Sequence, residues 1–111
     1  IDVMDMAAQT NQAQAGVIQA QAEVVRSQAT LNQLQSQKLE AQAALRLAQI
    51  NQTRMAQLQT EGAVSRSRLD EANTGLDEAR ARVAQTEAGI RQALAAISHA
   101  RAAVNQAESV V

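Results

Sequence analysis

Residues 54–72 read RMAQLQTEGAVSRSRLDEA, and this stretch decides the fold because a regular helical pattern breaks within it and then resumes. Gly62 can adopt the left-handed conformation that ends a helix, since it has no Cβ. Ser65 is a suitable N-cap, because its hydroxyl can accept a hydrogen bond from an amide in the next first turn. Arg66 and Arg68 oppose the preference for acidic residues at a helix N-terminus. The stretch therefore predicts a chain reversal between two helices.

The segment after the break carries a heptad seam. Large apolar residues recur every seven positions, at Leu69, Leu76, Val83, Ile90, Ile97, Val104 and Val111. Three positions after each of the first six comes a small residue, at Ala72, Ala79, Thr86, Ala93, Ala100 and Ala107. Apolar residues at this alternating spacing lie on one face of a helix that packs against another helix. Because the side chains at this second seam position are small, we expect the partner helix to approach closely.

The segment before the break follows the same pattern less strictly. One row contains Val3, Thr10, Val17, Val24, Leu31, Lys38, Leu45 and Gln52, and the other contains Met6, Ala13, Ala20, Ser27, Leu34, Ala41, Ala48 and Met55. The many Ala and Gln residues favour helix, and no proline interrupts the segment. The sequence therefore predicts helix 1 over about residues 1–60, a tip at about residues 61–65 and helix 2 over about residues 66–111.

A reversal at Gly62 also predicts a register for the two helices. Centring the turn there pairs positions whose numbers add up to 124, which sets large residues against small ones: Leu45 with Ala79, Leu31 with Ala93, Val24 with Ala100 and Ala41 with Val83. Such interdigitation gives the close packing that a thin core needs. Two polar layers, Lys38 opposite Thr86 and Gln52 opposite Ala72, are typical of residues that fix register. The predicted fold class is all-α, a two-helix antiparallel coiled-coil hairpin.

Composition limits the possible functions. The 111 residues include no aromatic residue and no cysteine, so burial must come from a seam, and disulfides, zinc–thiolate sites and thiol catalysis are excluded. The net charge of −1, with both signs interspersed, argues against a nucleic-acid-binding surface. No apolar run approaches the roughly 20 residues that span a bilayer. The chain begins at Ile1 without methionine, and we interpret it as a fragment of a larger protein.

The side chains do not predict an enzyme. The single histidine, His99, falls between seam positions and is expected to face solvent. The adjacent acids Asp70 and Glu71 diverge by about 100° around a helix, so they do not form a carboxylate pair. No nucleophile, base and orienting acid can be assembled around a closed cavity. We therefore predict no catalysis, no metal site and no cofactor.

The tip carries a motif that a generic hairpin does not require. Arg54, Leu58 and Ser65 have the spacing Arg-x3-Leu-x6-Ser, and directly before the serine stand Gly62, Ala63 and Val64. Arg54 offers a planar donor fork to carboxylates or carbonyls, and Leu58 can serve as an apolar anchor. Each residue also has a purely structural explanation. Arg54 can be a solvated arginine, Leu58 the last seam leucine and Ser65 an ordinary N-cap.

This motif, placed between two long heptad helices, resembles the tip of the α-helical hairpin in periplasmic adaptor proteins. These proteins, also called membrane fusion proteins, belong to tripartite efflux pumps and type I secretion systems. The resemblance implies that the tip, with Arg54, Leu58 and Ser65, docks onto a TolC-like outer-membrane channel. It further implies a Gram-negative periplasmic protein, anchored at the inner membrane, that links the channel to an inner-membrane transporter for export of drugs, proteins or other substrates.

The resemblance also implies self-association into a ring of six hairpins around the channel. It leaves open whether the transporter is of the ABC, RND or major-facilitator class. The alternative function is a structural coiled-coil scaffold, or an arm inserted in an unrelated protein, that mediates protein–protein contacts. In a scaffold the tip would tolerate any substitution that preserves the helix end and the cap. An amphipathic lipid-binding helix is disfavoured, because such helices need bulky apolar faces with basic borders.

Overall fold

The computed structural model describes residues 3–110, which form two α-helices. Helix α1 is Val3–Thr60 and helix α2 is Arg66–Val110, and residues 61–65 connect them. The predicted fold class, an all-α, two-helix antiparallel coiled-coil hairpin, is confirmed. The expected start of helix 1 near residue 1 and the seam residue Val111 lie outside the described residues.

The chain divides into two compact units. Unit 1 takes in Ile1–Gln33 with Arg91–Val111, and unit 2 takes in Leu34–Ile90, including the tip. Each unit contains a segment of α1 and a segment of α2. The packing is therefore described separately for each unit.

The helices are long and continuous because their composition supports them locally. Neither contains proline, and Ala and Gln dominate α1. Threonine has a lower helix propensity, but several threonine hydroxyls donate to the carbonyl oxygen four residues earlier, namely those of Thr10, Thr30, Thr60 and Thr86. These polar groups are thus satisfied within their own helix.

The core of each unit consists of seam residues. In unit 1 the buried residues are Leu31, Ala93, Ile97 and Ala100, and in unit 2 they are Ala41, Ala72 and Leu76. All seven occupy positions that the heptad pattern assigns to the seam. Even the most enclosed of them keep some exposure, with 4% for Ile97 and 3% for Ala41. The core is therefore thin, as expected for a chain without aromatic residues.

The predicted register agrees with the contacts to within one residue. In unit 2, a Cβ built on Gly89 would lie 3.5 Å from Leu34 Cδ2. In unit 1, Thr30 and Ala93 line the same shallow depression. Both pairs lie one residue from the predicted pairing, in the same direction. The turn position and the seam pattern are thus mutually consistent.

In the two polar layers of unit 2, Gln52 and Lys38 do not contact the residues predicted to face them, Ala72 and Thr86. Gln52 donates from Nε2 to Asn73 Oδ1 at 3.0 Å, and Lys38 Nζ lies 3.9 Å from Glu87 Oε1. Both partners are one position beyond the residues predicted to face them. Ala72 offers no side-chain acceptor, so the amide of Gln52 reaches its polar neighbour at the edge of the seam. The layers remain polar cross-links between the helices.

The seam predicts where a disulfide can form. Both Leu31 and Ala93 are buried in unit 1, so the double variant Leu31→Cys/Ala93→Cys should cross-link readily within one chain on mild oxidation. Non-reducing electrophoresis measures the product. The control Leu31→Cys/Ala95→Cys should not form it, because Ala95 is exposed on another side of α2. Links found only between chains would contradict the hairpin.

Burial also ranks the apolar seam residues by their contribution to stability. Ile97→Ala should lower the free energy of unfolding by about 2–4 kcal/mol, since Ile97 is buried. Ile90→Ala should cost less, because Ile90 is only half-buried. The exposed Gln85 provides the control Gln85→Ala, which should change little. Denaturant unfolding of the three variants tests this order, and equal effects would mean that the wrong face has been assigned.

Candidate functional site

Helix α1 ends in a Schellman motif. The amide of Ala63 donates to the Leu58 carbonyl at 2.8 Å, and the amide of Gly62 donates to the Gln59 carbonyl at 3.0 Å. These are the two bonds that define the motif, and they require a left-handed residue between them. Gly62 supplies it with a φ of 79°. Nothing lies within 4 Å of a Cβ built on Gly62, so backbone conformation is the reason for glycine there.

Helix α2 begins with a serine cap. The amide of Arg68 donates to Ser65 Oγ at 3.3 Å and to the Ser65 carbonyl at 3.1 Å. The hydroxyl thus satisfies one of the amides that a helix start leaves without a partner. Val64 and Leu69, on either side of this first turn, are both half-buried and occupy the positions of a hydrophobic staple. The predicted cap at Ser65 is confirmed.

Arg54 differs from the other motif residues because its side chain has no evident role in folding. It is exposed on α1, and none of the three ion pairs found within residues 3–110 involves it. It stands four residues before Leu58, so both side chains lie on the same side of the helix. Leu58 is half-buried and keeps part of its surface open to solvent. Together they give α1 a cation next to an apolar group just before the tip.

An apolar depression next to Arg54 was not predicted from the sequence. It has a volume of about 400 Å³ and is lined by Ala44, Leu47, Ala48, Ile50, Asn51 and Arg54. Leu47 and Ile50 are 69% and 51% exposed. The sequence contains a signal for this depression, because Leu47 and Ile50 are large apolar residues at positions outside the seam. Both lie outside the heptad rows, so the seam pattern does not reveal them.

Residues 54–68 are locally basic, although two exposed acids, Asp70 and Glu71, follow directly in α2. Residues 54–68 contain three arginines, Arg54, Arg66 and Arg68, and one acid, Glu61. All four are exposed. Arg66 and Arg68 lie in the first turn of α2, near the positive end of its dipole, where a cation is unfavourable. The charge of the tip therefore opposes local helix stability.

The structure thus divides the predicted tip residues by their roles. Leu58, Gly62, Ala63 and Ser65 meet in the turn and hold it through backbone and cap hydrogen bonds. Val64 packs beside the cap, whereas Arg54 lies one turn away along α1. A partner would meet guanidinium donors around a small apolar surface, an arrangement suited to carboxylate and carbonyl acceptors.

The cap geometry predicts which serine variants preserve the tip. Ser65→Ala should lower stability by about 1 kcal/mol, because the Arg68 amide loses its side-chain acceptor. Ser65→Asp should retain stability, since aspartate is an equally good N-cap and favours the helix dipole. Thermal melting followed by circular dichroism measures both. Equal melting temperatures for Ser65→Ala and the unmodified chain would show that the cap is dispensable.

A membrane-spanning helix and a cluster of metal-binding side chains are both absent from the described residues. Neither helix in residues 3–110 combines the length and hydropathy needed to cross a bilayer. The same residues contain no group of three or more His, Cys, Asp or Glu side chains placed to hold a metal ion.

Comparison with known proteins identifies the family. A family model described as "RND MFP, alpha-helical hairpin domain" matches residues 30–109, which include about half of α1, the tip and nearly all of α2. No curated protein and no solved structure gives a match. Members of the matched family are non-catalytic adaptors of the periplasm. The chain therefore belongs to the RND membrane fusion proteins, whose α-helical hairpin domain it contains.

Proposed function

We propose that the tip of this chain docks onto a TolC-like outer-membrane channel and so connects that channel to an RND-type inner-membrane transporter. Membrane fusion proteins of this family partner in general with a channel of the outer membrane and a transporter of the inner membrane. Export then requires the full protein, with this chain as its channel-contacting part. The substrates are drugs or other compounds that the transporter selects.

The observation that carries the proposal is the exposed basic tip. Arg66 and Arg68 oppose the dipole of α2, and Arg54 makes none of the ion pairs found within residues 3–110. Residues that break a local rule without a structural gain are typical of functional sites. Arginine forks bind carboxylates and carbonyls in defined geometry. The matching surface on the channel is one rich in such acceptors.

An apolar contribution supports the same surface. Leu58 is half-buried, and Leu47 and Ile50 border the open depression beside Arg54. Apolar anchors surrounded by polar groups are typical of the residues that contribute most to protein interfaces. We infer that the docking surface extends from the turn along α1 towards Ile50 and Leu47. Such a surface would combine orientation by arginines with burial of leucine and isoleucine.

The proposal includes assembly and location. Six copies of the full protein form a ring around the channel, in the periplasm of a Gram-negative cell, with the inner membrane as the anchoring site. The family match favours an RND transporter over the ABC and major-facilitator classes that the sequence left open. Self-association of this kind would place six tips against one channel, so that weak individual contacts add up.

A scaffold function remains the competing hypothesis because of one specific observation. Leu58, Gly62 and Ser65 all have structural roles in the turn, so their presence alone does not require a partner. Arg54 has no such role and discriminates best between the two functions. Ser65→Arg would be a poor test, because it removes the cap while adding bulk.

Charge reversal at Arg54 tests docking directly. Arg54→Asp should leave the melting temperature of the chain nearly unchanged, since the side chain is exposed, but should weaken channel binding at least tenfold. Co-purification of the channel and export from cells with the full-length variant are the measurements. The matched control is Arg101→Asp, which makes the same change at an exposed arginine of α2 far along the chain from the tip and should retain docking.

Leu58→Asp tests the apolar anchor and needs a control for helix-end effects. Gln57→Asp places the same carboxylate at the same end of α1, on an exposed position. We expect Leu58→Asp to abolish docking and Gln57→Asp to retain it, with helical content near normal in both and a lower melting temperature for Leu58→Asp, because Leu58 is half-buried. Normal channel binding and export in both Arg54→Asp and Leu58→Asp would favour the scaffold.

A further inference from the structure

In unit 1, the side of α1 that faces away from α2 carries an exposed row with heptad spacing. We call it the outer row, and all of its residues are exposed: Ala8, Asn11, Ala15, Ile18, Ala22, Val25, Ala29 and Asn32. Ile18 is 67% exposed and Val25 is 69% exposed. The alternating spacings of three and four residues place the row on one face of the helix, roughly 150° around α1 from the seam. Much of the surface of two large apolar side chains is therefore open to solvent.

The outer row alternates alanine with a larger residue. The larger residues are Asn11, Ile18, Val25 and Asn32, and one alanine stands between each of them and the next. The row contains no charged residue, so its burial would not desolvate an ion. Large side chains of one helix can enter the spaces above small side chains of another. A helix with the same heptad spacing is therefore the partner that the outer row fits.

The order of large and small residues selects an antiparallel partner. In a parallel pair of identical helices each residue faces its own copy, so alanine would face alanine and Ile18 would face Ile18. In an antiparallel pair the two heptad positions face each other, so every alanine of the row would face a larger residue. Close packing favours the second arrangement. The outer row of a second copy, running in the opposite direction, is therefore a complementary surface.

The two asparagines select one register among the antiparallel ones. When residues whose numbers add up to 40 face each other, Asn11 of one copy lies one layer from Asn32 of the other, so their amides can hydrogen-bond. In the same register Ile18 of one copy lies one layer from Val25 of the other. A shift by one heptad would bring Asn11 nearest to Val25, or Asn32 nearest to Ile18, and an apolar neighbour offers a buried amide no hydrogen bond. Polar residues at such positions typically fix register in this way.

The borders of the outer row are compatible with this pairing. Glutamines predominate there, at Gln12, Gln14, Gln19, Gln21 and Gln28. The pairing sets Arg26 of one copy near Gln12 of the other, so the arginine does not meet another cation. Glutamine amides both donate and accept hydrogen bonds, and they can do so at the edge of a contact without repulsion between like charges.

We propose that two copies of this chain pair through their outer rows, in an antiparallel contact with its twofold axis near residue 20. Both copies use the same surface, so the contact is complete with two chains. It extends over about 36 Å of helix, from Ala8 to Asn32. The inference goes beyond the proposed function and does not depend on it. Because the two α1 helices run in opposite directions, the dimer is a form of the free protein, distinct from a ring in which all copies face one channel.

Mixed-cysteine cross-linking tests both direction and register, because the chain has no cysteine of its own. An equimolar mixture of the Ala15→Cys and Val25→Cys chains should yield mainly the disulfide-linked heterodimer on mild oxidation, since these two residues face each other across the contact. Two copies of the same variant would hold their cysteines about 15 Å apart along the helix, too far for a disulfide.

Mass spectrometry of the oxidised mixture distinguishes the products. The heterodimer should exceed either homodimer at least tenfold, because only the mixed pair meets the geometry of a disulfide. Random collision would give only about a twofold excess, and a parallel pair would give the two homodimers instead. Either of these results would overturn the proposal.

Charge insertion provides a second readout on the chain without cysteine. Ile18→Glu should weaken dimerisation at least tenfold, because each copy would bury a glutamate in the contact. The control Gln92→Glu adds the same charge at an exposed position of α2 in unit 1 and should leave the dissociation constant unchanged. Sedimentation equilibrium measures this constant, and circular dichroism should show intact helices in both variants, since both side chains are exposed. A chain that stays monomeric, or equal dissociation constants for the two variants, would also overturn the proposal.

Discussion

The left-handed backbone at Gly62 is the constraint on which the rest of the structure depends. Its position fixes where the chain reverses, and the reversal fixes which residues of α1 meet which residues of α2. Moving the turn by one residue would shift every pair and set seam residues against residues outside the seam. Because the chain has no aromatic residue to fill a gap, packing tolerates only a register that places large beside small.

Much of this fold could be predicted from the sequence because two independent signals agree. The heptad rows predict the buried face, and the residues buried in the structure, including Ile97 and Ala41, all lie on it. Gly62 and Ser65 predict the helix end and the cap, and both geometries are present. The polar partners were misplaced by one residue, because long side chains such as Lys38 reach beyond the residue directly opposite.

The candidate site was less accessible to sequence reasoning. The heptad pattern indicates which residues point inward and does not reveal Leu47 and Ile50, whose exposure becomes visible only in the structure. The predicted motif of Arg54, Leu58 and Ser65 likewise combines residues that hold the turn with a residue proposed to contact a partner. Only the structure separates these two roles. Ser65 and Leu58 hold the turn, whereas Arg54 is left available for a partner. Residues that hold the turn and residues of the proposed docking surface are thus neighbours, and Arg66 and Arg68 oppose the dipole of α2.

The thinness of the core has a consequence for how such a chain can change in length. No side chain within residues 3–110 is fully enclosed, so each layer of the seam depends mainly on the layers directly above and below it. Inserting seven residues into α1 and seven at the facing position of α2 would add two layers, about 10 Å in height, and leave all other pairs unchanged. A globular core could not accept such an insertion without repacking. The seam therefore makes the length of the two helices adjustable without any change in the sequence of the tip.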